Sequence, residues 1–221
     1  MVNTPAAARS AARKRGRPRG SAARDSRGAI FAAAAREFAE RGYEAAGVDR
    51  IADKARVNKA MLYYHFGSKL GLYRGVLRDM FGAVALRARA IADGPGTATE
   101  KLDAWIVAIV EEAGARPWFP PIMLREIASG GTHLDPEAVT LMNGVFGAVK
   151  DLIVQGQAEG AFRDADPLLT HLTIMPAILI FFARQRVLQR RSLPGVGAPR
   201  ALDAFIAHIQ TSARLMLRKD V

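Results

Sequence analysis

From about Asp25 onward, apolar residues recur every three or four positions, and no stretch alternates apolar with polar residues between turn signals. The pattern predicts an all-α chain of about nine helices. Ile30, Phe31, Ala34, Ala35 and Phe38 form the inner stripe of a first helix, which Gly42 ends. Val48, Ile51, Ala52 and Ala55 mark a short second helix. A third follows Asn58 as its N-cap, with Leu62 and Phe66 one turn apart on the inner side. Ser68 caps a long fourth helix that stops before Gly94-Pro95-Gly96. Beyond that break the spacing predicts helices over 99–115, 122–129, 136–160, 167–190 and 199–217. Pro117, Pro120 and Pro121 interrupt the chain before the 122–129 segment. Asp135-Pro136 and Asp166-Pro167 are start signals, because a proline at the first helical position lacks only an N–H that would be unbonded anyway.

Charge divides the chain in two. Residues 1–90 hold nineteen Lys/Arg against seven Asp/Glu, a balance of +12, whereas residues 91–221 balance at −1. A local basic excess is the electrostatic footprint of a polyanion partner, and also of a solvated surface. Residues 1–24 contain no acid and are rich in Ala, Arg, Gly and Pro, as in a flexible basic arm. A transit peptide shares that composition, but Gly16, Pro18 and Gly20 would break its helix. The expected organisation is an arm at 1–24, a first helical domain at 25–70 and a second, larger helical domain at 71–221. There is no cysteine, hence no disulfide or thiolate site. The longest apolar run covers 174–183 and contains Pro176, too short for a bilayer span, so no membrane is expected as a partner.

The second and third helices have the size of a helix-turn-helix pair, in which the second enters the major groove by its N-terminal residues. Those residues are Asn58, Lys59, Ala60 and Met61. Lys59 suits guanine or phosphate, and Ala60 and Met61 suit thymine methyls. Tyr63, Tyr64 and His65 place polar-tipped rings beside the same groove edge. Lys69 sits in the first turn of the fourth helix, where the dipole disfavours a cation; it is either an exposed lysine or one aimed at a phosphate.

The stretch from Ile30 to Tyr73 resembles the DNA-binding domain of the tetracycline-repressor (TetR/AcrR) family. The matching residues are Phe38, Gly42-Tyr43, Ile51-Ala52, Leu62-Tyr63-Tyr64-His65-Phe66, Ser68-Lys69 and Leu72-Tyr73. The resemblance implies that Asn58 to Met61 face bases, that Tyr63, His65 and Lys69 hold phosphates, and that Arg50 reaches toward the DNA backbone. Four positions depart from the family pattern. Ala46-Gly47 replaces the usual hydroxyl residues, losing a side-chain cap worth about 1 kcal/mol. Arg56 replaces a turn glycine, with a left-handed strain of roughly 1–2 kcal/mol. Leu70 replaces the usual Glu.

Arg15-Gly16-Arg17-Pro18-Arg19 resembles an AT-hook, a slim peptide whose guanidiniums enter a narrow minor groove; the alternative is a basic tail with non-specific attraction. For the C-terminal half the resemblance implies a ligand cavity between the middle helices and dimerisation through the last two. Candidate cavity residues are Trp105, Ile109, Trp118, Phe119, Met123, Met142, Phe146, Met175 and Phe181, with Arg125, Glu126 and His171 as polar groups that orient a ligand or serve structural roles. The 167–190 segment is apolar on more than one face, and Leu172, Ile178, Phe182, Phe205 and Ile209 are candidate dimer contacts. His65, His133, His171 and His208 are scattered, and no metal, cofactor or catalytic centre is expected. These features predict a cytoplasmic, nucleoid-associated homodimer that represses transcription from a palindromic operator until a small apolar or amphipathic effector releases it. The competing reading is an architectural or activating DNA-binder whose C-terminal half holds a protein, for which a filled core would speak.

Overall fold

The structure, a computed structural model, describes residues 19–190 and 199–219. Among these it is all-α: α1 (Arg19–Ala45), α2 (Val48–Ala55), α3 (Lys59–Phe66), α4 (Lys69–Asp93), α5 (Ala98–Ala115), α6 (Phe119–Ala128), α7 (Pro136–Ala158), α8 (Pro167–Arg190) and α9 (Pro199–Leu217). Arg15 and Arg17 of the AT-hook-like motif lie outside the described residues, and Arg19 is the first residue of α1. The helix thus begins inside the stretch expected as arm, where Ala22 and Ala23 favour helix over coil.

Side-chain caps set several boundaries. Asn58 accepts from the Ala60 N–H at 2.9 Å, and Ser68 from the Gly71 N–H at 2.9 Å. Thr97 and Glu100 form a reciprocal capping box, so α5 begins one residue before the apolar pattern suggests. Asp135 caps α7 through Ala138, with Pro136 next to it. Pro120 and Pro121 do not break the chain as expected. They fill the first turn of α6, where their missing N–H groups forfeit no helical bond.

One apolar core runs from α1 through α4 into α5 and α7. Ile30, Phe38, Ile51 and Leu62 tie the first three helices to Leu72, Val76 and Leu77 of α4. Farther along, α4 packs chiefly on α7 and α5 around Trp105, Ile109, Val149 and Leu152, all fully buried. α4 is therefore one rod shared by the three N-terminal helices and the larger bundle. α8 lies against α5, α6 and α7, and α9 against α5 and α8.

Candidate nucleic-acid interface and effector cavity

α2 is held on α1 by a buried carboxylate. Glu37 has no exposed side-chain surface and takes Arg50 Nε at 2.6 Å, Lys54 Nζ at 2.8 Å and Arg41 Nε at 3.2 Å. Burial pushes its pKa up, but the hydrogen bonds from Lys54 and Arg50 more than reverse this and hold it down to about 2. Arg50 is thereby committed within the domain. Its guanidinium lies 3.0 Å from where a Cβ on Gly47 would project, and it also donates to the Ala45 carbonyl. Gly47, the N-cap of α2, makes no side-chain cap, and Arg50 fills the space that a capping hydroxyl would need. At the other end of α2, Arg56 adopts the left-handed conformation (φ 55°, ψ 45°) that the turn demands.

α3 turns Leu62 into the core and leaves Asn58, Lys59, Ala60, Tyr63 and Tyr64 exposed along one side. Met61 is half-buried at the edge of that side. Tyr64 is 78% exposed, with the His65 ring edge-on to it at 5.1 Å. Lys59 Nζ is 2.7 Å from Asp49 Oδ1 on α2, which raises the lysine pKa through that hydrogen bond. His65 faces back into the domain, with Nε2 2.9 Å from Ser26 Oγ. Lys69 donates to the Glu44 carbonyl at 3.1 Å and sits 4.6 Å from the centre of the Tyr43 ring. Its ammonium caps the end of α1, beside the N-terminus of α4. The structure thus gathers Asn58, Lys59, Ala60, Met61, Tyr63 and Tyr64 on one helix edge and assigns Arg50, His65 and Lys69 contacts inside the protomer. Sequence reasoning missed Glu37 and Asp49. A carboxylate sitting on the apolar stripe of α1 was the available signal for Glu37.

Residues 30–76 match the family described as bacterial regulatory proteins, tetR family, and residues 99–212 match the tetracyclin repressor-like C-terminal domain. The chain belongs to the tetR family. It is 31% identical over 159 residues to the HTH-type transcriptional repressor NicS of Pseudomonas putida, covering 69% of this chain and 73% of NicS. It is 56% identical over 52 residues to the HTH-type transcriptional activator FasR of Mycolicibacterium smegmatis, 24% of either chain. Among solved structures, the ketosteroid transcriptional regulator KstR2 of Mycobacterium tuberculosis superposes with a TM-score of 0.70 at 24% identity, covering 88% of this chain and 95% of that one. This tetR-family chain is a DNA-binding transcriptional regulator of the helix-turn-helix type.

The tetR-type C-terminal domain holds a half-open cavity of about 310 Å³ between α4, α6, α7 and α8. Of the residues expected there, Phe119, Met123, Met142, Phe146, His171 and Met175 line it. Trp105 and Ile109 do not: α5 buries them in the core behind the cavity. Trp118 stands edge-on to Phe31 of α1, with ring centres 6.3 Å apart. Phe181 stacks on Phe205 at 3.9 Å, joining α8 to α9. Phe81 and Val84 of α4 and Asn143 of α7 were missed; all three line the cavity. On an apolar helix, core-facing and cavity-facing residues look alike.

Of the expected dimer contacts, Ile178 and Ile209 lie in the protomer core. Phe182 reaches toward Gly114 of α5, and Phe205 is taken by Phe181. Leu172 is exposed, at the cavity mouth. The outward side of α8 is instead Leu169, Ile180 and Val187, 53–64% exposed, with Leu215 of α9 at 62%. The stretch Pro167–Gln185 is long and apolar enough to cross a membrane by length and composition, although its unbroken apolar run is short. Only 22% of it is buried within the protomer.

α6 joins cavity and DNA-binding end. One side carries Phe119, Met123 and Ile127 into the cavity wall. From another, Arg125 donates to the carbonyls of Ala39 (2.8 Å), Phe38 and Glu40 in the turn of α1 before the non-helical Gly42. Its Cδ would lie 3.3 Å from a Cβ on Gly42, whose φ of 76° and ψ of 173° are themselves glycine-only. Glu126, 2% exposed, accepts from Tyr73 Oη at 2.7 Å and pairs with His133 Nδ1 at 2.9 Å. Burial and that bond to Glu126 raise the Tyr73 pKa.

Proposed function

We propose that this regulator is a repressor that grips a palindromic operator as a homodimer and lets go when a small, mostly apolar molecule enters the cavity. The observation that carries the reading is the shared framework. α4 supplies Phe81 and Val84 to the cavity and begins at Ser68-Lys69 beside the end of α1, while α6 supplies Met123 and Arg125 to the same two places. A molecule that displaces either helix shifts α3. NicS, similar over most of both chains, is a transcriptional repressor, which favours repression. The cavity favours a small molecule over the protein-binding alternative, which called for a filled core.

In this reading the unpartnered side of α8, with Leu215 of α9, forms the two-fold interface. The dimer sets two α3 helices about 34–36 Å apart, one turn of duplex. Asn58 to Met61 meet base edges, and Tyr63 and Tyr64 flank the phosphates. His65 and Lys69 act by bracing α3 and the α4 N-terminus. The protein works in the cytoplasm, at the nucleoid. The test is selection of bound duplexes from random sequence with purified dimer, then competition by a ligand panel. A palindromic consensus and a ligand that lowers affinity 5–150-fold are expected; recovery of no preferred sequence, or no ligand response, contradicts it.

A further inference from the structure

The cavity is uneven in polarity. Its floor is Phe81, Val84, Phe119 and Met123, all buried, and neither lysine, arginine, aspartate nor glutamate lines it. Its two polar side chains are Asn143, exposed, and His171, half-buried. His171 Nδ1 is fully buried with no hydrogen-bond partner among the described residues. The His171 ring stands edge-on to Phe146 of the cavity wall at 5.4 Å and tilts toward Trp105 at 6.2 Å. The Trp105 indole Nε1 is likewise buried and unpartnered. Buried polar atoms without partners are rare in folded proteins, and the His171 ring that carries one of them also lines the cavity.

We propose that the cavity takes an uncharged, largely apolar molecule whose single hydrogen-bonding head group docks on His171, with Trp105 behind it. The proposal rests on the ligand-released reading above. A carboxylate there would be buried with no cation to meet it, and an ammonium with no acid, so either charge keeps its desolvation penalty. Burial lowers the His171 pKa to about 4, so the imidazole is itself neutral in the cell and offers no countercharge. An apolar body fills the Phe81–Phe119 floor, and a carbonyl or hydroxyl satisfies the imidazole.

The experiment titrates the full-length protein with four matched probes: valerophenone, pentylbenzene, 5-phenylpentanoate and 5-phenylpentylamine. Binding is read by calorimetry and tryptophan fluorescence, and operator release is read separately. Valerophenone is expected to bind at least about tenfold more tightly than either charged probe. His171→Phe is expected to abolish the advantage of valerophenone over pentylbenzene, and His171→Gln to retain part of it. Equal or tighter binding of a charged probe overturns the proposal, as does an undiminished ketone preference in His171→Phe. Binding of none of the four overturns it together with the cavity reading. Ketone binding that leaves operator affinity unchanged upholds it and refutes ligand release instead.

Discussion

Arg125 on α6 donates a 2.8 Å hydrogen bond to the Ala39 carbonyl on α1, so the cavity wall and the DNA-binding domain share a guanidinium. Arg125 meets these carbonyls just before Gly42 breaks the helical backbone, and Gly42 leaves room for the side chain to cross. Arg125→Ala is expected to bind ligand normally yet transmit it poorly. The ligand-induced loss of operator affinity should shrink below about fivefold, as measured by fluorescence anisotropy with and without ligand. Full transmission would move the coupling to α4 alone.

The Lys59–Asp49 pair, 2.7 Å apart and exposed, places an acid beside the leading edge of α3. In the proposed docking, duplex phosphates compete with Asp49 for that ammonium. Asp49→Asn is expected to raise affinity for random duplex more than for operator, narrowing the specificity ratio. The check is parallel titration of both DNAs at fixed salt, and an unchanged ratio would show that Asp49 has no part in discrimination.

Glu37 should make acid stability depend on one group. Its pKa is about 2 in the folded protein against 4.5 for the free side chain. Its stabilisation is complete above pH 4.5 and is lost as pH falls toward 2. Glu37→Gln leaves Arg50 and Lys54 without their counterion. It should cost roughly 2 kcal/mol at pH 7, below the full range for a buried pair because the cations are half-exposed. Urea unfolding across pH should show wild type and variant converging at low pH, and parallel curves would remove Glu37 from the account.

The outward side of α8 predicts the assembly state. Ile180→Asp places a charge at a position 53% exposed in the protomer but covered in the proposed dimer. Sedimentation should show a monomer at micromolar concentration, with operator affinity reduced more than tenfold, since one half-site binds alone. A stable dimer would place the interface elsewhere.

The helix-turn-helix was legible because its boundaries are chemical: Asn58 and Ser68 can cap, and Arg56 must turn. The start of α6 was not, because Pro120 and Pro121 read as an interruption until their place in a first turn is known. Along α8 the phase was illegible for a different reason. Ile178 is buried and Ile180 exposed, yet an all-round apolar helix has no polar stripe to say which is which. The same ambiguity put Trp105 among the expected cavity residues, although it lies behind the wall. Arg50, His65 and Lys69 could not be assigned from type alone. Each is a sound phosphate ligand, and only the geometry shows Glu37, Ser26 and Glu44 already engaging them.

The reading edge of α3 is tested most directly by operator affinity against ionic strength for wild type, Lys59→Ala and Tyr64→Ala. Both side chains are exposed, so folding should be intact by thermal melting. Lys59→Ala should weaken binding about tenfold and reduce the log–log salt slope by about 1 per bound half-site. Tyr64→Ala should weaken binding with little change in slope. Wild-type affinity and slope in both variants would contradict the claim that this helix enters the duplex.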